Sequence, residues 1–426
     1  MIRRRGVYHI TGYDPIGVAW HKLFKRELAT FARTWSINSE ISDYTPRTQD
    51  SNPRWIVTSI ASNWRVETFY ETLLWDDIVL ADFARPTGER LRKSFSAFFD
   101  FVFSGTVLRY FRANWQYGLF FLFPYFLLCL FAAVGLAIAF AALSFVALPG
   151  VMQAAVALLL SIVIFFALLR WPGRRWRVAQ GLDDWIFSWE YVHDRRSDVD
   201  ARLSRFADEL VARARDGSLD EIIIVGHSLG ATLAIEIVAR AFARDANLGR
   251  HGPSVCVLTV GSTIPKFSLH PAGGRFRQSA ARIVGNPSIA WAEYHARADA
   301  ISFYKFHPVT LSRFYGDRMT GKPVCRRVRL HLMLKLKTYL RYRLRFMRLH
   351  YQFVMANERR TAYDYFMMVC GPIPFARMVL TSKGPAELIA PDGALIDPAA
   401  TVPVMPLGCA EAAAQPIEPK HNSATA

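Results

Sequence analysis

The sequence predicts an α/β protein: a mainly parallel sheet flanked by helices, interrupted by a two-helix transmembrane hairpin. Three features of the chain carry that expectation. Short runs rich in Val and Ile alternate with segments of helical periodicity, the pattern of strands joined by crossover helices. From Ala113 to Leu169 there is no Asp, Glu, Lys or Arg, which is enough chain for two bilayer crossings at about 20 apolar residues each. The run EIIIVGHSLGATLAIEIVARAF, Glu221 to Phe242, reads as a buried strand, a turn crowded with small residues, and a helix.

The elements follow in order. Gly6 to Thr11 (GVYHIT) is a short apolar strand, Gly12-Tyr13-Asp14-Pro15 a turn, and Ile16 to Arg33 has helical spacing. Residues 55–80 read as a strand or hairpin rich in β-branched and aromatic side chains. Residues 94–111, aromatic-rich with few charges, fit either a helix in the headgroup plane or a core helix of the neighbouring domain. The spans are expected at about 118–147 and 151–170, with Pro149-Gly150 at the turn between them. Pro124 falls in the first turns of the first span, where a missing N–H costs little. Trp115, Tyr117 and Tyr125 at one end and Trp171 at the other fit interfacial belts. Arg90, Arg92, Lys93, Arg109 and Arg112 precede the hairpin, and Arg170, Arg174, Arg175 and Arg177 follow it. Basic flanks around an uncharged turn place both ends in the cytoplasm, in an inner or plasma membrane.

After the hairpin come an amphipathic helix (Ser197–Ala214), strands at Glu221–Val225, Val255–Val260 and 289–297, and a helix at Ala231–Phe242. Residues 327–337 (RVRLHLMLKLK) alternate with period two. This predicts a half-buried strand with Val328, Leu330, Leu332, Leu334 and Leu336 inward and a cationic face toward solvent or anionic headgroups. The organisation is then 1–112 and 172–385 as two parts of one domain, 113–171 as the hairpin, and 386–426, rich in Ala and Pro, as a disordered tail.

Composition excludes some classes. A chain of 426 residues buries a sizeable core. The net charge of +17 is compatible with nucleic acid or a membrane surface. No zinc-finger spacing, RNP-type run or basic zipper accompanies it, so nucleic acid is not expected. Five scattered cysteines give no disulfide framework and point to a reducing compartment. The N-terminal run MIRRRGVYHITGYDP lacks the apolar region of a secretory signal. Asp76-Asp77 and Asp183-Asp184 read as caps, because no His or further carboxylate has ligand spacing around them, and neither metal nor cofactor is expected.

The small residues of the central turn have a steric purpose. Gly226, His227, Ser228, Leu229 and Gly230 turn a strand sharply into a helix, which puts the Ser228 hydroxyl outside the turn and at the positive helix end. GHSLGATLA resembles the nucleophile elbow of α/β-hydrolases, and in detail the GHSLG-type elbow of lipases such as the class-3 lipase family. That resemblance implies Ser228 as nucleophile, the Leu229 N–H as oxyanion donor, and a carboxylate and then a histidine later in the chain. The chemistry requires them, because a serine hydroxyl attacks only when an imidazole takes its proton and a carboxylate orients that imidazole. Asp299, just past the strand 289–297, is the expected acid, with Asp317 in reserve. His350 in MRLHYQF is the expected base; His307 remains an alternative, while His331 lies in the alternating strand and His421 in the tail. The second oxyanion donor falls to the Tyr13 N–H in VYHITGYDP, although His9 stands three residues before Gly12 where the family pattern has it directly before. The resemblance thus implies an α/β-hydrolase-like fold and a serine hydrolase of esterase or lipase type, and the uncharged hairpin adds the expectation of a membrane anchor and of an acyl ester drawn from membrane lipids. An acyltransferase or thioesterase using the same acyl-enzyme, or a non-catalytic membrane scaffold, fits the same residues.

Overall fold

Nine strands pair into one sheet among the residues described by the computed structural model, 1–48, 51–146, 149–319 and 321–397. They are β1 (Arg4–Ile10), β2 (Asn38–Ile41), β3 (Arg54–Ala61), β4 (Trp64–Thr72), β5 (Glu221–His227), β6 (Ser254–Val260), β7 (Ile289–Ala296), β8 (Arg318–Met319) and β9 (Val324–Val328). Their spatial order is β2-β3-β4-β1-β5-β6-β7-β9-β8. The pairings from β4 through β9 are parallel, and antiparallel pairing is confined to the two edges. The continuous apolar run Ile222–Val225 explains why β5 is central, since a parallel strand is covered on both faces. Val7, Ile223 and Val225 point into one core, beneath the helix Val18–Trp35 and the segment Tyr363–Val379. Ile222 and Ile224 point into the other, beneath the helices Ser197–Asp216, Leu229–Arg244 and Gly274–Gly285.

One buried ion pair fastens the C-terminal segment to the sheet centre. Arg5 Nε donates to Glu221 Oε2 at 2.8 Å, and its other nitrogens donate to the Gly371 and Ile373 carbonyls at 2.6 and 2.8 Å. Glu221 Oε1 accepts the Phe375 N–H at 2.8 Å. Both charges are therefore hydrogen-bonded as well as paired, the condition under which burying them is tolerable.

The helices Trp115–Leu143 and Gly150–Arg170 are long and apolar enough to cross a membrane by length and composition. The other described residues do not cover the second one: Ser161 is its one buried residue, and Leu158, Leu159, Val163 and Phe166 stand exposed. The two helices meet at Gly135, where a Cβ would lie 2.9 Å from the Ser161 carbonyl oxygen, so a glycine lets the backbones approach. The start of the first helix is used differently. Tyr117, Phe121 and Tyr125 pack on Trp185, Phe101 and Phe303 of the domain, and the Tyr125 hydroxyl donates to the Ser94 carbonyl at 3.1 Å.

Four sequence expectations change here. Tyr117 and Tyr125 are buried domain contacts and not interfacial belt residues, whereas Trp115 and Trp171 are exposed. Pro124 lies well inside its helix, which starts at Trp115 and ends at Leu143, short of the expected 147; Ala147 and Leu148 lie outside the described residues. The strand expected over 327–337 stops at Val328, followed by the short helices Leu330–Met333 and Leu336–Tyr342, with Leu332 and Leu336 exposed. Residues 386–397, placed in the tail by composition, pack on the core: Ile389 and Leu395 are buried, and Trp64 Nε1 donates to the Gly393 carbonyl at 2.9 Å. The remainder of the expected tail, 398–426, lies outside the described residues. Residues 94–111 form parts of two helices, Thr87–Phe103 and Thr106–Ala113, with Phe101 and Tyr110 buried in the domain and Phe95, Phe99 and Phe103 exposed.

Candidate active site

β5 runs into the helix Leu229–Arg244 through one residue, Ser228, at φ 59 and ψ −125. A non-glycine residue there stores about 1–3 kcal/mol of strain and persists only where its surroundings hold it. They do. The Ser228 N–H donates to the Val260 carbonyl at 3.1 Å, and its carbonyl accepts the Ala231 and Thr263 N–H groups at 3.1 and 3.3 Å. The flanking glycines have no room for a side chain. A Cβ at Gly226 would sit 2.5 Å from Ala231 Cα, and one at Gly230 would sit 2.3 Å from the Ile10 carbonyl oxygen. On the other side lies the turn after β1, where a Cβ at Gly12 would be 3.4 Å from Ser228 Oγ. Among the described residues, neither the Tyr13 nor the Leu229 backbone N–H finds an acceptor. Tyr13 itself is fixed, its hydroxyl donating to Asp82 Oδ2 at 2.7 Å and its ring lying among Trp75, Phe83 and Phe187.

Asp299 follows β7 in a turn, accepting the Ile301 N–H on Oδ1 at 3.1 Å. Its Oδ2 lies 2.9 Å from His350 Nδ1, with both residues buried. A carboxylate only accepts, so the proton is on Nδ1 and the lone pair of the neutral ring is on Nε2. That Nε2 is buried without a hydrogen-bond partner among the described residues. His227 holds the backbone of His350: its Nε2–H donates to the His350 carbonyl at 3.0 Å, and the two ring centroids are 4.5 Å apart. Burial, foremost, pushes the His227 imidazole well below its ordinary range and keeps it neutral. His350 ends the helix Phe346–His350, where a loop or a helix start was expected. Beneath it, a Cβ at Gly261 would lie 3.2 Å from His350 Cε1.

The reserve residues are engaged elsewhere. His307 Nδ1 accepts the Val309 and Thr310 N–H groups of its own turn at 3.3 and 3.1 Å. Asp317 pairs with Arg327 and Arg329 at 3.0 and 2.9 Å. Ser228, Leu229, Gly12, Tyr13 and His350 line one pocket of about 1090 Å³, with Asp299 behind His350. No hydrogen bond joins Ser228 Oγ to His350 Nε2 here, and such bonds commonly tighten only once substrate is bound.

Sequence reasoning missed the pocket walls. One comes from the start of the first apolar helix (Trp115, Leu119, Phe120, Phe123) and one from Leu344, Phe346 and Met347. It also missed the Asp14 junction: Asp14 accepts from the Tyr351 hydroxyl at 2.7 Å and from Arg177 at 2.9 Å, tying the turn after β1 to the His350 segment. These contacts join residues more than a hundred positions apart and leave no local pattern.

Asp76 and Asp77 open the helix Asp76–Phe83, whereas Asp183 and Asp184, expected as caps, lie inside the helix Val178–Val192. Asp76 accepts the Gly17 N–H, Asp77 pairs with Arg202, Asp183 with Arg85 and Arg90, and Asp184 with Lys266. A separate triplet, Asp100, His193 and His270, brings its donor atoms within 4.8 Å of one another. His270 Nδ1 accepts the Ala272 N–H at 3.1 Å, so its proton is on Nε2, donated to Asp100 at 2.8 Å. A metal on that Nε2 would require the proton to move to Nδ1, against the Ala272 N–H, so the triplet is better satisfied as a hydrogen-bonded cluster. No protein-family model, curated protein or solved structure matches the chain.

Proposed function

We propose that the protein is a membrane-anchored serine hydrolase of the α/β-hydrolase type that cleaves an acyl ester. One observation carries the reading: His350 has Nδ1 committed to Asp299 and a buried, unpartnered Nε2 lining the same pocket as Ser228 in its strained turn. An imidazole so held is a base awaiting a proton. Ser228 Oγ attacks the ester carbonyl and its proton passes to His350 Nε2, with Asp299 stabilising the imidazolium. The Tyr13 and Leu229 N–H groups bind the oxyanion, in the positions the elbow and the loop after a neighbouring strand supply in this type of site. Collapse breaks the ester C–O bond, and the alcohol leaves with the proton from His350. Water, deprotonated by His350, then releases the acid from Ser228.

The apolar hairpin supports a bilayer anchor, because beyond the start of its first helix the other described residues leave most of its surface uncovered. Arg109 and Arg112 before it and Arg170 and Arg174 after it favour a cytoplasmic catalytic domain. The aromatic wall from the first helix suits a long acyl chain.

Labelling of membranes with a fluorophosphonate probe tests the reaction. Wild type is expected to label; Ser228→Ala abolishes labelling, and His350→Ala slows it by about a hundredfold or more. A wild-type protein that does not label, or labels equally with Ser228→Ala, ends the hydrolase reading.

A further inference from the structure

From Arg318 to Asn357 the chain has no Asp or Glu. Within that stretch Lys335, Lys337, Arg341, Arg343 and Arg345 are exposed, and none has a carboxylate partner for its side chain among the described residues. Large apolar side chains alternate with them: Leu336, Leu344 and Phe346 are 71%, 77% and 60% exposed. One end of this cationic, apolar strip meets residues that flank the hairpin. Leu344, Phe346 and Arg348 line one pocket with Trp115, Arg175 and Trp176. Trp176 in turn stacks on Phe131 of the first apolar helix, ring centroids 6.0 Å apart, beside the Gly173 turn that follows the second. The Leu344–Arg348 end of the strip thus lines the same pocket as residues at the foot of the two helices.

We propose that Lys335–Arg348 docks on an anionic lipid bilayer, so that the pocket opens into the headgroup layer. The proposal takes its orientation from the membrane-anchored hydrolase reading and deepens it by naming the surface from which the acyl substrate is drawn. The mixture of side chains selects this occupant. Lysines and arginines meet lipid phosphates while interleaved leucines and phenylalanine enter the acyl boundary. A nucleic acid would satisfy the charges and leave the apolar side chains in water.

The test uses the full chain in nanodiscs with an environment-sensitive dye on Leu336→Cys, in a Cys129→Ser, Cys409→Ser background. In discs containing phosphatidylglycerol the dye emission is expected to shift to the blue and resist aqueous iodide. In phosphatidylcholine alone both effects shrink, and the combined Lys337→Gln, Arg341→Gln, Arg343→Gln variant loses the difference between the two lipids. A dye that stays quenchable in both, behaves alike in both, or responds instead to a single-stranded oligonucleotide overturns the proposal. Fluorophosphonate labelling of Ser228 is read on the same discs. Dye insertion without labelling removes the hydrolase reading and leaves the docking surface standing; labelling without insertion does the reverse.

Discussion

Ser228 occupies a backbone conformation that suits glycine better than serine, with φ 59 and ψ −125. If the strain is retained for the hydroxyl, Ser228→Gly is expected to be more stable than either wild type or Ser228→Ala, by about 1–3 kcal/mol, while labelling is lost in both variants. Denaturant midpoints in detergent measure this, and equal midpoints for the two variants would mean that no strain is held there. The tight turn at this residue was legible in the sequence because its constraint is local: the glycines two positions before and after it have backbone atoms where a side chain would go. Choosing between His350 and His307 was harder. Both follow Asp299, and the choice depends on a chain path of 51 residues that brings His350 Nδ1 back to Asp299 while His307 caps its own turn.

At the scale of elements, a strand buried on both faces has to neutralise any acid it carries. β7 is buried at every position and includes Glu293, whose carboxyl burial raises to about 8. Thr259 and Glu293 Oε2 share a hydrogen bond at 2.5 Å, and Trp291 Nε1 donates to Thr259 at 2.9 Å. The folded value lies above the ordinary 4.5, so the folded state holds a proton that the unfolded state has released. Stability from this site is full below pH 4.5 and is lost as pH rises through about 8. Glu293→Gln is expected to remove this slope, worth on the order of a few kcal/mol, and to leave acid stability nearly unchanged. Urea midpoints across that range for both proteins check it. The helices Val18–Trp35, Ser197–Asp216 and Leu229–Arg244 were legible from period, whereas β2 and the helices Val178–Val192 and Gly274–Gly285 were not read at all. The stretch 327–337 was misread, because Leu330 and Leu334 satisfy a period of two and an i,i+4 spacing equally. The structure buries Leu330, Met333 and Leu334, the helical choice, once pairing of β9 with β7 ends at Val328.

On the scale of the whole molecule, the hairpin is two things in one piece of chain. Its outer part is an uncovered apolar pair, and the start of its first helix is domain core around Trp185. Replacing 133–169 with a Gly/Ser linker is therefore expected to give a protein that carbonate extracts from membranes and that still labels at Ser228. Removing 115–171 strips Tyr117, Phe121 and Tyr125 from Trp185 and is expected to give aggregate. Size-exclusion profiles without detergent distinguish the two; a shorter deletion that still needs detergent would place the anchor elsewhere. The sequence marked the hairpin by its missing charges but could not divide it, since a side chain facing lipid and one facing Trp185 are equally apolar.

The place of β1 also sets an order of events during synthesis. It lies between β4 and β5, yet Glu221 leaves the ribosome only after both apolar helices. One flank of β1 waits unpaired until both apolar helices have been made, with Arg5 lacking the carboxylate it will meet in the finished sheet. The two strands can join only if they lie on the same side of any bilayer that the chain crosses. Any crossings between Ile10 and Glu221 therefore come in even number, and a lineage that gained or lost spans here could do so only in pairs.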